Sequence, residues 1–274
     1  MGQLVESATR TLAATSDSPR LDAELLLAAA AGISRSTVIA FPERAVGADV
    51  RGTFERLIAQ RRGDVPVAYL LGQREFFSLK LEVDPSVLVP RPETELIVEA
   101  ALDVIAEMEP VNVLDLGTGS GAIALAIKHE RPRAHVTAVD SSAKALAVAA
   151  RNAAALDVDV ELMESDWFGA LDGREFDVIV ANPPYVRSDD PALASTLRHE
   201  PASALDGGPD GLDAIRIIVE KAISHLQPNG YLLVEHGDDQ GAAVRELAKH
   251  AGYRNVSTLA DLAGRDRVLI ASAP

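Results

Sequence analysis

The stretch Phe176-Asp177-Val178-Ile179-Val180-Ala181-Asn182-Pro183-Pro184-Tyr185 decides how the rest of the chain is organised. Its first six residues form an apolar run that predicts a buried parallel strand. The tetrapeptide from Asn182 to Tyr185 then lies at the carboxyl edge of an open α/β sheet, where such sheets bind their ligands. The tetrapeptide is therefore a candidate active site.

The four residues of this tetrapeptide suit a planar NH₂ group. Pro183 and Pro184 have no N–H, so the backbone around them offers carbonyl acceptors in a stiff frame. Asn182 adds one more acceptor oxygen, and Tyr185 adds a flat ring that can hold the plane of the group. A proline-rich turn after a strand is the simpler explanation of these four residues alone, so other parts of the chain must decide.

From Val111 onward, strands and helices alternate, which predicts a doubly wound α/β sheet. The predicted strands are Val111 to Leu116, Val136 to Val139, Val160 to Met163, Phe176 to Ala181, Tyr231 to Glu235 and a terminal pair, Arg254 to Leu259 and Arg267 to Ser272. The predicted helices of this part are Glu93 to Glu107, Ala122 to His129, Ala143 to Ala155, Gly211 to Leu226 and Gln240 to Ala251.

The amino-terminal third predicts a small helical bundle. Closely spaced apolar residues favour helices over Leu4 to Ala14, Leu21 to Ala31 and Val50 to Arg61. Glu75 to Val83 alternates in the manner of an exposed strand or hairpin arm. No chemistry is visible in the bundle, which favours a docking or scaffold role. We expect a helical docking domain over residues 1–74, a strand or hairpin linker over 75–92 and a catalytic domain over 93–274.

A glycine-rich turn follows the first strand of the sheet. In Gly117-Thr118-Gly119-Ser120-Gly121, the three glycines let the backbone turn tightly and approach a ligand, and the next helix begins with free N–H groups. The turn also meets the dinucleotide pattern through Gly117, Gly119 and Ala122, so by itself it does not separate a nicotinamide from an adenosyl cofactor. Asp140 ends the second strand and is placed to accept ribose hydroxyls in either case. The alternative role for Asp140 is to cap the helix that follows.

Composition excludes several classes of protein. The 274 residues include no cysteine, so a disulfide, a thiolate metal site and a cysteine nucleophile are impossible. The net charge of −15 and the absence of a long basic run disfavour direct binding to nucleic acid. No stretch approaches a membrane span, and residues 1–15 lack the apolar core of a signal peptide. We expect a cytoplasmic protein without a membrane partner.

Metal chemistry is not predicted, and the scarce aromatic residues point to stacking. The six histidines are scattered without metal-binding or triad spacing, and the pairs Asp189-Asp190 and Asp238-Asp239 lack the spacing of a calcium loop. Trp167, the only tryptophan, follows the third strand near the suspected site. Its position favours stacking on a ligand, with packing in the core as the alternative.

Two motifs together carry a specific resemblance. Asp115-Leu116-Gly117-Thr118-Gly119-Ser120-Gly121 followed by the tetrapeptide resembles class I S-adenosylmethionine-dependent methyltransferases that act on planar nitrogens. Further segments narrow the resemblance to the bacterial release factor glutamine methyltransferases, the HemK/PrmC family, over nearly the whole chain. These segments are Pro66 to Gly72, Val87 to Glu95, Ser165 to Phe168, Glu200 to Gly211 and Asp261 to Arg267.

The resemblance implies a role for each candidate residue. Gly117, Thr118, Gly119, Ser120, Gly121 and Asp140 would hold the methionine and ribose parts of S-adenosylmethionine, with Trp167 against the adenine and Asn182 beside the cofactor. Asn182, Pro183, Pro184 and Tyr185 would hold a glutamine amide. The implied reaction is methylation of the side-chain nitrogen of the glutamine in the Gly-Gly-Gln loop of peptide chain release factors, by a protein expected to be a monomer.

Four other functions stay open at this point. A glutamine methyltransferase acting on a ribosomal protein has the same expected fold. An amino-directed DNA methyltransferase, acting for example on adenine N6, shares the tetrapeptide but needs a basic cleft, which the charge of −15 disfavours. A nicotinamide oxidoreductase leaves Asn182 to Tyr185 unexplained, and a silent nucleotide-binding module would not need the acceptor residues.

Overall fold

The computed structural model describes residues 1–105, 110–195 and 197–274, which form two compact units, Met1–Gln73 and Arg74–Pro274. The first unit is helical, as predicted. Its core contains Leu12, Leu26, Leu27 and Phe54, all of them buried. Its helices are α1 (Gly2–Leu12), α2 (Pro19–Ala31), α3 (Arg35–Ala40), α4 (Ala48–Arg62) and α5 (Val67–Leu71).

Two of these five helices, α3 and α5, are missing from the sequence-based prediction. They have six and five residues, too few to show a helical repeat of apolar residues. The start of α3 is nevertheless encoded locally, because the side chain of Ser34 accepts a hydrogen bond from the backbone N–H of Thr37.

A β-hairpin opens the second unit, where an exposed strand or a hairpin arm was predicted over Glu75 to Val83. Strands β1 (Gln73–Phe76) and β2 (Leu79–Glu82) are joined by Phe77 and Ser78, whose φ angles of 49° and 61° are those of a tight hairpin turn. Phe76, Leu79 and Leu81 are buried in the core of the second unit. The alternation therefore marks a half-buried hairpin.

The second unit is built on a seven-stranded sheet in the order β5-β4-β3-β6-β7-β9-β8. Pairing is parallel from β5 through β7 and antiparallel between β7, β9 and β8. This confirms the predicted doubly wound sheet with a terminal antiparallel pair. The strands are β3 (Asn112–Leu116), β4 (His135–Asp140), β5 (Glu161–Glu164), β6 (Phe176–Ala181), β7 (Leu226–Glu235), β8 (Arg254–Ala260) and β9 (Asp266–Ser272).

Helices cover both faces of this sheet. One apolar layer includes Val113 and Val178 from the strands, and the opposite layer includes their neighbours Leu114 and Ile179. The helices of the second unit are α6 (Glu95–Ile105), α7 (Ala122–Glu130), α8 (Ala143–Leu156), α9 (Pro191–Ala194), α10 (Asp213–Ala222) and α11 (Gly241–His250). The predicted end of α6 at Glu107 lies outside the described residues.

The helix predicted over Gly211 to Leu226 is too long at both ends. Helix α10 stops at Ala222, and Leu226 already belongs to β7, opposite Phe176. The pairing of β6 with β7 shifts register before it resumes at Tyr231, and Asn229 in the shift has a φ angle of 62°. The β7 strand therefore contains an irregularity that hid its first half from the periodic pattern.

The order of the strands places the two motifs side by side. Strand β3 lies between β4 and β6, and its last residue, Leu116, pairs with Ala181 at the end of β6. The chain runs outward from β3 to one side and from β6 to the other, so the topological switch point lies between their carboxyl ends. The residues directly after Leu116 and Ala181 are Gly117 and Asn182.

Asn152 of α8 joins the hairpin to the glycine turn. It is 1% exposed. Its Oδ1 accepts from Glu82 N at 2.6 Å, and its Nδ2 donates to Glu82 O at 3.0 Å and to Ser120 O at 2.9 Å. A buried amide with three partners is expensive to remove, because each partner loses its hydrogen bond.

We expect Asn152→Ala to lower the free energy of unfolding by about 2–3 kcal/mol, measured by urea denaturation. The matched control is Arg151→Ala. Arg151 contacts Glu82 and Asp84 of the same hairpin region, but through exposed ion pairs, which contribute little. An equal loss in the two variants would contradict the role given to Asn152.

Candidate active site

A cavity of about 510 Å³ opens at the switch point and contains most of the sequence-predicted site residues. Its lining includes the turn residues from Gly117 to Ser120, Asp140 from the end of β4, Trp167, and Asn182 and Pro184 of the tetrapeptide. Gly121, Pro183 and Tyr185 do not line the cavity: Gly121 lies behind the turn at the start of α7, Pro183 is buried, and Tyr185 is partly buried beside the lining residues Asn182 and Pro184. The structure thus brings the glycine turn and the tetrapeptide into one site.

The glycine turn needs its glycines for backbone geometry. Gly117, Gly119 and Gly121 have φ angles of 72°, 57° and 84°, in the left-handed region that favours glycine. A Cβ on Gly121 would also lie 2.9 Å from the side chain of Leu125. The sequence therefore specifies a turn whose backbone comes close to whatever fills the cavity.

Asp140 is held in place by two backbone N–H groups. Its Oδ2 accepts from Gly119 N at 2.9 Å, and its Oδ1 accepts from Ser142 N at 2.8 Å. Each oxygen keeps a further lone pair, so the carboxylate can still accept hydroxyl groups from a ligand. The alternative role as a helix cap is filled by Ser142, whose side chain accepts from Ala145 N.

Asp115, the first residue of the glycine motif, is completely buried below the turn. Its Oδ2 accepts from Thr118 Oγ1 at 2.6 Å and from Ala124 N at 3.2 Å, while its Oδ1 has no partner among the described residues. Burial, opposed by these hydrogen bonds and supported by the charge of Asp140, raises the pKa of Asp115 to about 7. This carboxyl fixes the turn from within, and it also satisfies one N–H at the start of α7.

Trp167 lies against the glycine turn. A Cβ on Gly117 would be 3.6 Å from the Trp167 ring, so the ring covers this part of the turn. Trp167 has a φ angle of 49°, and Ser165 stabilises the bend by donating to Trp167 O at 2.8 Å and accepting from Ala170 N at 3.0 Å. The ring is thus a fixed flat wall beside the cavity.

Asn182 is oriented by a residue from another part of the chain. Its Nδ2 donates to Thr94 Oγ1 at 3.1 Å, and Thr94 is buried in the 3₁₀ turn Pro92–Thr94 that precedes α6. Because Thr94 takes the NH₂ group, the Oδ1 of Asn182 is left as the acceptor for a ligand.

Tyr185 makes a polar contact below the cavity. Its hydroxyl donates to Glu235 Oε1 at 3.1 Å, and burial together with the charge of Glu235 raises the pKa of Tyr185 above its usual value. Gln240 donates to Tyr185 O at 3.0 Å. A Cβ on Gly207 would lie 2.7 Å from Pro184 O, so a glycine there lets the long loop pack on the tetrapeptide backbone.

Arg91 connects two segments at the edge of the cavity. Its guanidinium forms an ion pair with Glu200, whose Oε2 also accepts from Val89 N at 3.0 Å. Arg91 and Pro201 both line the cavity, so Glu200 joins the segment before α6 to the long loop after β6. Arg91 therefore forms a structural ion pair at a position that also faces the cavity.

Sequence reasoning missed the roles of four polar residues. Thr94, Glu235 and Gln240 contact the tetrapeptide, and Glu200 joins two segments at the edge of the cavity. Glu235 could have been found, because it is the polar last residue of a predicted strand in the same parallel sheet. The other three come from turns and from a helix start, where no periodic pattern marks them. Their roles follow only from tertiary contacts.

The histidines and aspartate pairs for which no metal or triad site was predicted do not line the cavity. His225 stacks on Phe168 with ring centroids 4.7 Å apart. Over the described ranges, no group of three or more histidines and carboxylates is arranged to hold a metal ion, and the absence of a metal stays a prediction. None of the helices in those ranges has both the length and the apolar character that crossing a membrane requires.

Two known family models match the chain, one within each unit. The model described as PrmC N-terminal domain matches residues 3–72, and the model described as Methyltransferase small domain matches residues 94–211. Among solved structures, a methyltransferase from Pyrococcus furiosus has a TM-score of 0.57 at 21% identity, covering 78% of this chain and 98% of that one. A Thermus thermophilus 16S rRNA N2 G1207 methyltransferase, solved with S-adenosylmethionine and guanosine, has a TM-score of 0.55 at 21% identity and covers 74% and 50%. These structures share the fold.

Curated relatives are far more similar in sequence. The release factor glutamine methyltransferase of Pseudomonas aeruginosa is 53% identical over 93% of this chain and 93% of its own length. The enzyme of the same name from Moorella thermoacetica is 44% identical over 98% of this chain and 97% of its own. Together with a cavity suited to an adenosyl cofactor, this similarity confirms the predicted resemblance. The chain belongs to the release factor glutamine methyltransferases, a family of S-adenosylmethionine-dependent enzymes.

Proposed function

We propose that this protein transfers the methyl group of S-adenosylmethionine to the side-chain nitrogen of a glutamine in peptide chain release factors, at the Gly-Gly-Gln loop. The observation that supports this most directly is the orientation of Asn182. The NH₂ group of Asn182 donates to Thr94 Oγ1 at 3.1 Å, so the Oδ1 of Asn182 remains as an acceptor in the cavity that the glycine turn also lines.

The residues of the cavity suit each part of the cofactor. The glycine turn would allow close approach of a carboxylate-bearing chain, Asp140 would accept ribose hydroxyls, and the ring of Trp167 would lie along an adenine. When bound, S-adenosylmethionine supplies a methyl group on a positively charged sulfur. The protein then has to present a nitrogen to that methyl group.

Presentation is difficult because the lone pair of an amide nitrogen is delocalised into its carbonyl. Asn182 Oδ1 and the carbonyl of Pro183 accept the two N–H groups of the substrate, and positive charge that develops on the nitrogen strengthens both bonds. The tetrapeptide would hold the nitrogen facing the methyl group that the cofactor supplies. The new N–C bond would form as the C–S bond breaks, leaving a neutral sulfur, and the nitrogen would give up one of its two protons. Pro184 and the ring of Tyr185 keep the amide in its plane.

Charge favours a protein substrate over nucleic acid. A net charge of −15 without a long basic run provides little neutralisation of phosphates. A glutamine on a glycine-flexible loop enters a narrow cavity without the unstacking that an extruded base requires. We further propose that the helical unit, Met1–Gln73, docks the release factor, and that the protein works in the cytoplasm as a monomer without binding nucleic acid itself.

Substitutions at Asp140 and Asn182 distinguish cofactor binding from methyl transfer. We expect Asp140→Ala to weaken S-adenosylmethionine binding in titration calorimetry. Asn182→Ala should bind the cofactor nearly as well as the wild type but lose turnover by about a hundred- to a thousandfold, because a preorganised acceptor is removed. Near-normal turnover of Asn182→Ala, or unchanged affinity of Asp140→Ala, would refute the corresponding role.

The docking role of the helical unit is tested by deletion up to Gly72. The truncated protein keeps the cores around the sheet, so we expect measurable cofactor binding. Its kcat/KM for an intact release factor should fall, whereas that for a short peptide containing Gly-Gly-Gln should stay close to the full-length value. Unchanged efficiency on the intact factor would show that docking lies elsewhere.

The substrate is tested with radiolabelled S-adenosylmethionine. We expect label in a purified release factor, none after the glutamine of its Gly-Gly-Gln loop is changed to alanine, and none in duplex DNA. Label in the alanine variant would show that another residue is modified. Label in DNA or in a ribosomal protein, with none in the release factor, would assign the activity to one of the two alternative methyltransferases.

A further inference from the structure

Glu235 is a buried carboxyl directly behind the tetrapeptide. It ends β7, is 1% exposed, and its Oε1 accepts from the hydroxyl of Tyr185 at 3.1 Å. Its Oε2 is buried from solvent and has no hydrogen-bond partner among the described residues. Burying such a carboxylate is unfavourable unless neighbouring groups stabilise its charge.

The neighbours of Glu235 belong to the catalytic tetrapeptide or contact it. The hydroxyl of Thr94 is close enough to the carboxyl to lower the pKa of Glu235, and the oxygen of that hydroxyl accepts from Asn182 Nδ2 at 3.1 Å. Glu235 is therefore connected to Asn182 through Thr94 and to Tyr185 directly. One carboxyl thus contacts Tyr185 directly and lies behind Asn182 with Thr94 between them.

The direction of these hydrogen bonds follows from the chemistry of the carboxylate. An ionised carboxylate only accepts, so Thr94 and Tyr185 must each point a hydrogen at it. The oxygen of Thr94 is then available only as an acceptor toward Asn182, and Asn182 must offer it the NH₂ group. With the opposite orientation, Asn182 would present its NH₂ to the NH₂ of the substrate, donor against donor.

We propose that Glu235 is a positioning residue that sets this direction, so that Asn182 presents its oxygen and Tyr185 keeps its place beside the substrate amide. The proposal rests on the role given to Asn182 under the proposed function. It adds a distinct requirement, namely that the group behind Thr94 and Tyr185 can only accept hydrogen bonds. Glu235 itself does not line the cavity and acts through Thr94 and Tyr185.

The network is sensitive to protonation of Glu235. Burial raises the pKa of Glu235 to about 7, with Glu93 adding to the rise, while Thr94, Tyr185 and Arg267 oppose it. Below that pH the carboxyl gains a hydrogen and can donate to Thr94, which frees Asn182 to rotate. Activity measured at saturating S-adenosylmethionine should therefore rise with pH through a midpoint near 7. Saturation limits the contribution of Asp115, whose pKa is also about 7 and which holds the cofactor turn.

The test compares Glu235→Gln with Glu246→Gln, a control in α11 whose side chain is exposed and pairs with Lys249. In Glu235→Gln we expect kcat to fall by about ten- to a hundredfold, as for other groups that orient a reacting ligand. The KM for release factor and the affinity for S-adenosylmethionine should stay within about twofold, and the rise of kcat near pH 7 should disappear. Glu246→Gln should match the wild type.

A double-mutant cycle tests whether Glu235 acts through Thr94. Thr94→Val keeps the shape but removes the hydroxyl, so it should lower kcat as much as Glu235→Gln, and the double variant should be no worse than either. Thr94→Ser should keep most of the activity. Additive losses would mean that the two residues act separately and would overturn the proposal. If Glu235→Gln fails to fold, Thr94→Val with its pH profile gives the same decision.

A measurement without turnover separates this proposal from the proposed function. The side-chain NH₂ signal of Asn182 can be assigned in NMR spectra by its loss in Asn182→Ala. We expect it to shift with pH around 7 in the wild type and in Glu246→Gln, and not in Glu235→Gln. A wild type that shows this titration but labels no release factor would refute only the substrate. A constant Asn182 signal, or a wild-type kcat and pH profile in Glu235→Gln, would overturn the role of Glu235.

Discussion

The parallel pairing of β3 with β6 is the contact on which the rest of the site depends. Leu116 lies opposite Ala181, so the glycine turn and the tetrapeptide leave the sheet at the same level and on adjacent strands. A shift of one residue would turn every side chain of β6 to the other face of the sheet. Because both strands are buried on both faces, the two apolar layers fix this register, and the position of Asn182 follows from it.

The second level of organisation is a set of buried polar contacts that join separate segments at this edge. Asp115 holds the glycine turn, Asn152 ties that turn to the hairpin, and Glu235 lies behind the tetrapeptide. Glu200 joins the flanking segments. Buried carboxyls and amides of this kind are unfavourable until their partners are in place, so they support one arrangement and penalise others.

The sequence predicts this fold well where its elements are long and periodic. The strands from Val111 to Glu235 and the helices between them follow from apolar runs, and the neighbouring positions of the glycine turn and Asn182 follow from the rules of doubly wound sheets. The short helices α3 and α5 and the irregular start of β7 are not predicted, because they are too brief or too distorted for a repeat to appear. The roles of Thr94 and Gln240 are not predicted for another reason: their partners are 88 and 55 residues away in sequence.

The fold alone does not select the substrate. The Thermus thermophilus methyltransferase, solved with guanosine, shares the architecture at 21% identity, and a shared architecture does not by itself define a substrate. Selection must then come from the segments that surround the cavity. Here these are the turn before α6, with Arg91 and Thr94, and the long loop after β6, with Glu200 and Pro201. The ion pair between Arg91 and Glu200 fixes one segment against the other, so the width of the opening is set by groups outside both motifs.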